Sequence, residues 1–458
     1  MKRNSLPLLL IIIFSVLSGC KNKEINKENV LVSPHIQYES YTASETDLLI
    51  SRSEYQDKLY GFWLAQSIAN WTGLVTEMDK IGNIGEIKTG EFYTRADWGK
   101  PDKPSIWGEG IPSALSPTID FVFEDSSGVW GSDDDTDIEY IYQQLLYENK
   151  TSMLSPEQIQ KGWLTHIMPE EENYLWVSNQ AAFDLMQEGV LPPETSNPEL
   201  NPHWEMIDAQ LTTEIFGLFS PARPDVARKM ALLPIQTTAR EEAQWISEFY
   251  VSMYAQAINV SIEDPIKDQL IIHAEYSKEL FPVDSYPAKM YSFVKSRYDS
   301  GIPWEQTRDE IYQRYQVEEQ DGYDITSQNL YCNGCFAAGI NFSASLVSLF
   351  YGEGDLIETI KIGALTGWDS DNPTATWGGM LGFIYGKERV EKAFNREFSE
   401  TFYIHRTRIG FDNDGYDTFT NMAEKGVFIT DRVVQEELNG GIDLDKNVWY
   451  IPLSDIRK

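Results

Sequence analysis

Residues 363–386 read GALTGWDSDNPTATWGGMLGFIYG and join an acidic turn to a run of small residues. Small residues recur with the spacing of one helix face at Ala375, Gly378, Gly379, Gly382 and Gly386. Each glycine costs a helix roughly 1 kcal/mol relative to alanine, so such a face needs a compensating contact. Close approach of a neighbouring helix provides that contact. The pattern therefore predicts a central, tightly packed helix that begins at the acidic turn.

The acidic turn has the composition of a helix start. Asp369, Ser370 and Asp371 come first, followed by Asn372 as the predicted N-cap and Pro373 as the first helical residue. Capping alone is the simplest interpretation, because these residue types are preferred caps and the helix dipole favours carboxylates there. One acidic residue satisfies that need. The surplus points to a cation site.

A second acidic run, residues 132–137 with the sequence SDDDTD, lies directly before another helical pattern. The apolar stripe of that pattern consists of Ile138, Ile141, Tyr142, Leu145 and Leu146. Three consecutive aspartates repel one another and exceed what capping needs. Oxygen ligands suit hard cations such as Mg²⁺ or Mn²⁺. Two helix starts that face each other would place these oxygens around a metal pair.

Helical periodicity dominates the chain from about residue 46 to the end, and alternating patterns are few. The best strand candidate is Trp449–Leu453, near the C-terminus. Hydrophobic residues make up 42% of the 458 residues, which is enough for a substantial core. The formal net charge of −34 excludes nucleic acid as a partner, since its phosphates would be repelled. We therefore expect one mostly α domain over residues 46–458.

The N-terminus has the pattern of an export signal. Lys2 and Arg3 precede the apolar run Leu8–Leu17, which is too short to span a bilayer comfortably, and Ser18-Gly19-Cys20 follows. This ending is typical of a bacterial lipoprotein, with cleavage after residue 19 and acylation of Cys20. An ordinary signal peptide with an incidental cysteine is the alternative. We expect a signal peptide over residues 1–19, and a cell-envelope protein attached to the membrane through its lipid alone.

Residues 20–45 are polar and aperiodic, which indicates a flexible tether between the lipid and the folded domain. The chain has two further cysteines, Cys332 and Cys335, in the sequence CNGC. A local disulfide is expected in an oxidising compartment, and two reduced thiols are the alternative.

Several motifs together resemble the ADP-ribosylglycohydrolase family. The segment 363–386 looks like that family's Gly-Gly-Asp-Thr-Asp-Thr motif with its small-residue helix, and residues 133–136 resemble its Thr-Asp-Asp-Thr. Residues 61–77 are similar to the opening Gly…Gly-Asp-Ala-Leu-Gly-x-Pro-x-Glu, and residues 207–210 and 339–341 also resemble family members. The resemblance covers about residues 50–395. It implies an all-α fold, a single large orthogonal helical bundle with few short strands.

The resemblance also implies a site. In that family the two acidic motifs bind two divalent metal ions, usually Mg²⁺ or Mn²⁺. Carried over residue by residue, the metal-binding set is Asp133, Asp134, Asp135, Asp369, Asp371 and Asn372. Glu77 matches the catalytic glutamate, and Asn70 and Asn341 are the expected substrate contacts.

The chain departs from the family pattern at five positions. Asp133 and Asn372 stand where the family has metal-binding threonines, and Asn70 replaces the opening aspartate. Val75 replaces the usual proline, and Ala239 lies near the position where several relatives carry a histidine. These changes leave the expected fold intact and widen the range of substrates to consider.

The implied activity is metal-dependent hydrolysis of a glycosidic bond in an N- or O-ADP-ribosyl compound or a related ribose-like glycoside. The substrate would be a small molecule or a protein-linked glycoside. An exported glycosidase or nucleosidase acting on extracytoplasmic glycans or nucleosides is one alternative. A non-catalytic metal-binding protein with the same fold is the other. Trp63 and Trp71, in the opening motif, either stack on a base or sugar or are core aromatics.

Lipidation can be checked directly. Cys20 is expected to be the mature N-terminus and to carry acyl chains, because a basic start, a short apolar run and a small residue precede it. Mass spectrometry of the N-terminal peptide from membrane-extracted protein measures this. An intact Met1, or an unmodified Cys20 after cleavage elsewhere, would contradict the prediction.

Overall fold

The structure is a computed structural model that describes residues 30–108, 113–170 and 173–453. Within these ranges the chain is mainly helical with few short strands, as predicted, and no helix there is long and apolar enough to cross a membrane. The predicted signal peptide and Cys20 lie outside the described residues.

The first half of the domain contains the strand β1 (Asp47–Ser51) and the helices α1 (Arg52–Gly73), α2 (Asp134–Asn149), α3 (Pro156–His166), α4 (Val177–Gln187), α5 (Asp208–Thr212), α6 (Ile215–Leu218), α7 (Pro224–Ile235) and α8 (Glu241–Gln256). The second half contains α9 (Ile266–Lys278), α10 (Tyr286–Asp299), α11 (Trp304–Ile311), α12 (Ala338–Gly352), α13 (Leu356–Thr366), α14 (Asp371–Tyr385), α15 (Lys387–Phe394), β2 (Thr401–Tyr403), β3 (Tyr416–Thr418), α16 (Phe419–Glu436), β4 (Gly441–Asp443) and β5 (Val448–Pro452).

The small-residue helix α14 is buried along almost its whole length and lies against α1. A Cβ added at Gly382 would lie 2.3 Å from Gly61 O, and one added at Gly378 would lie 2.3 Å from Ala69 Cβ. The two helices thus approach so closely that glycine is required on α14. This contact is the predicted compensation for the low helix propensity of the stripe.

The apolar stripe predicted after the first acidic run forms the buried face of α2, and all five of its residues are at most 3% exposed. Two polar side chains of α1 are also buried. Gln66 and Asn70 are both 0% exposed and lie on the face of α1 turned towards α2. Buried polar side chains need hydrogen-bond partners, and residues of α2 and its N-cap provide them for this face of α1.

Two small antiparallel sheets close the domain. The strand predicted at Trp449–Leu453 is β5, the middle strand of the order β1-β5-β4, in which Asp47 pairs with Pro452 and Ser51 with Val448. The second sheet pairs β2 with β3. The first sheet therefore joins the segment that enters α1 to the last described strand of the chain.

Part of the predicted tether packs onto the domain. Leu31 O accepts a hydrogen bond from Arg52 Nη2, and the Tyr38 hydroxyl donates to Asp431 Oδ2 at 2.8 Å. Arg432 Nη2 donates to His35 O at 2.9 Å. The segment from Leu31 onwards is thus held by α1 and α16. Only residues 20–29, which lie outside the described residues, keep the prediction of a flexible tether.

The start of α14 differs from the prediction by two residues. The N-cap is Ser370, and Asp371, Asn372 and Pro373 already belong to the helix. Proline is tolerated at the third helical position because N–H groups of the first turn have no partner within the helix. The Ser370 hydroxyl donates to Gly73 O at 3.1 Å and does not cap the helix. Asn372 is consequently placed inside the first turn.

The α1–α14 contact makes a graded test possible. Gly382→Ala is expected to lower the free energy of unfolding by about 1–3 kcal/mol, because its new methyl meets the backbone of Gly61. Gly379→Ala is the comparison variant and should lose less stability, since its nearest neighbour is a side chain, the Phe62 ring at 2.9 Å, and the added methyl meets no backbone of α1 among its nearest atoms. Urea denaturation of the two variants measures the difference. A Gly382→Ala protein as stable as the wild type would contradict the close approach.

Candidate metal centre

Six carboxylates gather in two triads at the starts of α2 and α14. One triad consists of Asp133, Asp134 and Asp135, and the other of Glu77, Asp369 and Asp371. In each triad one oxygen of every residue lies within 4.8 Å of the others. We call these six residues the acidic cluster.

Hydrogen bonds join the two triads. Asn372 Nδ2 donates to Asp135 Oδ1 at 3.2 Å across a separation of 237 residues in the chain. Asn70 Nδ2, from α1, donates to Asp133 Oδ2 at 3.1 Å. The two acidic helix starts therefore meet, as the sequence predicted, and the end of α1 lies against both.

The loop that carries Glu77 is fastened to the turn before α14. The Thr76 and Ser370 hydroxyls lie 3.0 Å apart, Met78 N donates to Trp368 O, and Trp368 N donates back to Lys80 O. Gly367 allows this pairing because its φ is +101° and a Cβ there would lie 2.5 Å from Lys80 O. The Glu77 carboxylate is thereby held beside Asp369 and Asp371.

The cluster ranges from buried to partly exposed. Asp135, Asp369 and Asp371 are at most 5% exposed, whereas the other three members are half-buried. Burial raises the pKa of Glu77 well above its usual range, and the charges of Asp371 and Asp369 raise it further. Burial followed by the charge of Asp371 does the same to the pKa of Asp133 and Asp135. Six carboxylates so arranged either take up protons or hold cations.

The donor set fits divalent cations. Oxygens bound to one Mg²⁺ or Ca²⁺ lie about 2.0–2.6 Å from it and hence at most about 5 Å apart, which matches both triads. Asp133 Oδ1 and Asp371 Oδ1 are buried and have no hydrogen-bond partner among the described residues. A buried carboxylate oxygen without a donor is costly unless a cation approaches it. The residues present therefore fit two hard cations, one at each triad.

Two of the three asparagines predicted at the site, Asn372 and Asn341, use their side chains in hydrogen bonds within the protein. Asn372 Oδ1 accepts from Gln210 Nε2 at 3.2 Å, so this oxygen faces α5 while the amide nitrogen faces Asp135. Asn341 Nδ2 donates to Cys335 O and Ala337 O, and its Oδ1 accepts from Asp369 N at 3.3 Å. In the structure Asn341 positions the backbone of Asp369 and is 1% exposed.

Three buried charged residues next to the cluster were not assigned a role from the sequence. Asp208 Oδ1 accepts from Asn179 N at 2.8 Å, while burial and then the charge of Asp134 raise its pKa to about 7. Arg408 and Asp137 form a fully buried ion pair, with Nε 3.0 Å from Oδ2. The guanidinium of Arg408 also lowers the pKa of Asp134 against the effect of burial. The sequence signal available for Asp208 was an acidic residue within the motif of residues 207–210. No local motif surrounds Arg408.

Neither tryptophan of the opening motif presents an open ring face to the acidic cluster. Trp63 is 0% exposed and packs on Phe62, so it is a core aromatic. Trp71 donates from Nε1 to Gly131 O at 3.1 Å and supports the turn before α2. Val75 and Ala239, two departures from the family pattern, are also buried.

Comparison with known proteins gives a family match and an alignment with a solved structure. The family model described as ADP-ribosylglycohydrolase matches residues 51–427, which include both triads. A solved structure titled an ADP-ribosylglycohydrolase-related protein complex aligns with 83% of this chain and 99% of its own, at 12% identity and a TM-score of 0.47. No curated protein matches the chain in sequence. On the family match, which extends over most of its length, the chain belongs to the ADP-ribosylglycohydrolase family.

Proposed function

We propose that the protein is a divalent-metal-dependent glycohydrolase and that the acidic cluster is its catalytic centre. The observation that carries this proposal is the meeting of two carboxylate triads, each with its oxygens within 4.8 Å, inside a chain of this family. Asp133, Asp134 and Asp135 would hold one cation, and Asp369 and Asp371 the other. Two Mg²⁺ or Mn²⁺ ions bound there would supply Lewis acidity and a template for vicinal sugar hydroxyls.

Glu77 is the proposed catalytic base. Its carboxylate is half-buried beside Asp369 and Asp371, in a loop that hydrogen bonds hold on the turn before α14. In this position it can orient a water molecule towards the anomeric carbon and accept its proton while the bond between that carbon and the leaving group breaks. The proton taken from water is then available to the leaving group, which balances the hydrolysis. The transition state of glycoside hydrolysis resembles an oxocarbenium ion, which the surrounding negative charge stabilises.

The substrate is proposed to be a glycoside whose reacting sugar offers vicinal hydroxyls. ADP-ribosyl compounds are the first class to test because of the family, and extracytoplasmic glycans and nucleosides are the second. We further propose that the enzyme acts in the cell envelope, anchored through Cys20. The N-terminal pattern supports this location, and so does the disulfide between Cys332 and Cys335, since such bonds persist in oxidising compartments.

Cation binding is expected to stabilise the folded protein. Mg²⁺ or Mn²⁺ at one hundred times its dissociation constant should add about 2.7 kcal/mol by mass action, because the unfolded chain lacks the site. Asp371→Ala should lose this stabilisation and all turnover while remaining folded. Differential scanning calorimetry with and without the metal, together with a hydrolysis assay, measures both.

Asp284→Ala is the matched control for this test, because Asp284 is an exposed aspartate between α9 and α10. It should retain the metal-dependent stabilisation and the activity. If calorimetric titration detects no divalent ion at millimolar concentration, the proposed function is wrong. If metal binds but no glycoside of either class is cleaved, the non-catalytic alternative is the better explanation.

Glu77→Gln separates catalysis from metal binding. The amide keeps an oxygen of the same reach but cannot accept the proton, so turnover should fall by about 10²–10⁴-fold. The affinity for Mn²⁺, measured by titration calorimetry, should change far less than turnover, because Asp369 and Asp371 remain and the amide oxygen can take the place of the carboxylate oxygen of Glu77. Glu86→Gln, at an exposed glutamate farther along the same loop, should leave both quantities unchanged. Equal activity of Glu77→Gln and the wild type would remove Glu77 from the mechanism.

A further inference from the structure

Four aromatic rings form a near-parallel group. The Trp107 and Trp176 centroids lie 5.8 Å apart with 17° between the ring planes, and Phe336 lies 5.9 Å from Trp107 at 18°. Tyr331 lies 6.3 Å from Phe336 at 12°. Trp107, Trp176 and Tyr331 are 37%, 41% and 56% exposed, while Phe336 is buried among them. We call these four residues the aromatic surface.

Single exposed aromatics are ordinary, but a contiguous group needs an explanation. Large rings exposed together are unfavourable in water, and here they are also held in a fixed arrangement. Trp107 Nε1 donates to the Tyr331 hydroxyl at 2.7 Å. A disulfide joins Cys332 to Cys335, the residues next to Tyr331 and Phe336. The rings are therefore presented rigidly, which favours binding because little order is lost when a ligand arrives.

The aromatic surface lies close to the acidic cluster because neighbouring residues are tied to it. Ile106, next to Trp107, donates its N–H to the carbonyl of Met78, which follows Glu77. Phe336 O accepts from Ile207 N at 2.9 Å, directly before Asp208.

The other two connections run through α4 and α12. Trp176 is the N-cap of α4, and Asn179 in its first turn donates to the Asp208 carboxylate. Cys335 O accepts a hydrogen bond from Asn341 Nδ2, and Asn341 Oδ1 accepts one from Asp369 N. Three separate segments thus carry aromatic rings from the edge of the acidic cluster to the solvent.

Exposed aromatic rings suit sugar rings as binding partners. The face of an indole or phenol ring carries partial negative charge and attracts polarised C–H groups. A pyranose ring presents such C–H groups on one side and hydroxyls around its rim. Three of these rings, Trp107, Trp176 and Tyr331, are each exposed by more than a third and together offer contact area for more than one sugar of a chain. A single base needs only one stacking partner and an edge to read.

A cavity of about 520 Å³ adjoins Tyr331 and falls within the usual size of ligand sites. Its polar lining consists of three lysines, one aspartate and two hydroxyl residues: Lys80, Lys88, Lys103, Asp79, Thr89 and Ser105. Sugar hydroxyls can accept hydrogen bonds from the ammonium groups of these lysines. The formal net charge of −34 works against polyanionic ligands over the molecule as a whole.

We propose that the aromatic surface binds an oligosaccharide substrate beyond its reacting sugar, with sugar rings against Trp107 and Trp176 and the chain continuing past Tyr331. The substrate class of the enzyme is then a glycan. This inference rests on the proposed function for its catalytic meaning, but the binding itself does not require hydrolysis.

The test uses Asp371→Asn protein, which should not turn over, so that binding is measured alone. Neutral gluco-, manno- and xylo-oligosaccharides of three to six units are titrated by calorimetry and tryptophan fluorescence, with ADP-ribose as the competing class. At least one oligosaccharide should bind, with little dependence on ionic strength. Trp107→Ala and Trp176→Ala should each weaken that binding by about tenfold.

Two further variants keep the result interpretable. Trp176→Phe retains a smaller ring at the same position and should give an intermediate affinity. Tyr276→Ala removes an exposed ring on α9 and should leave the affinity unchanged. The melting temperature of each variant shows whether it is folded.

The inference is overturned if no oligosaccharide binds, or if binding survives both tryptophan substitutions. ADP-ribose binding that is lost in the tryptophan variants would make the aromatic surface a base-stacking site instead, which also overturns it. Sugar binding without any hydrolysis by the wild type would uphold the surface and contradict only the proposed function. Cleavage of ADP-ribosyl compounds without sugar binding would do the reverse.

Discussion

The close crossing of α1 and α14 is the constraint on which the site depends. The glycines of α14 let its backbone approach Gly61 so closely that no side chain fits between them. At the other end of the same contact, a Cβ added to Gly73 would lie 2.3 Å from Asp371 Cα. The last residue of α1 therefore touches the first residue of α14, and the chain reaches Glu77 only four residues later. A packing requirement in the middle of the domain thus fixes the distance between the proposed base and the second triad.

The acidic cluster brings an electrostatic cost that its surroundings partly offset. The N-termini of α2 and α14 both point at it, and the positive ends of their dipoles favour carboxylates. One helical turn deeper, Glu139 Oε2 accepts from Gln66 Nε2 at 2.6 Å and Glu214 Oε1 accepts from Thr376 at 2.9 Å. Burial raises the pKa of both glutamates, and the charge of Glu214 raises that of Glu139 further, which favours their protonated forms. These two glutamates thus form an inner layer of hydrogen-bonded acids, and the acidic cluster forms the outer layer, where cations can reach it.

Much of this arrangement could be predicted from the sequence because short, local residue patterns indicate it. The small-residue stripe predicted α14, the apolar stripe predicted α2, and the surplus of aspartates marked both helix starts. Contacts that depend on distant segments left no such pattern. Arg408 contacts Asp137 from a loop 271 residues away along the chain, and the sequence around either residue gives no sign of this pairing. The docking of the segment from Leu31 onwards was missed because polar, aperiodic sequence is compatible with both a tether and an ordered strap held by hydrogen bonds.

Two departures from the family pattern are explained by their contact with each other. The opening motif of the family has an aspartate where this chain has Asn70, and the first acidic motif has a threonine where this chain has Asp133. In the structure Asn70 Nδ2 donates to Asp133 Oδ2 at 3.1 Å, so the two positions are neighbours. A carboxylate absent from α1 is thus present at the start of α2, within hydrogen-bond reach of the same place. The exchange keeps the number of carboxylates, and hence the charge available to balance two divalent cations. Val75 and Ala239 differ in kind, because both are buried apolar residues that offer no side-chain oxygen or nitrogen to a cation. The departures at Asn70 and Asp133 therefore leave the number of carboxylates at the acidic cluster unchanged, which is the property that the proposed cation site requires.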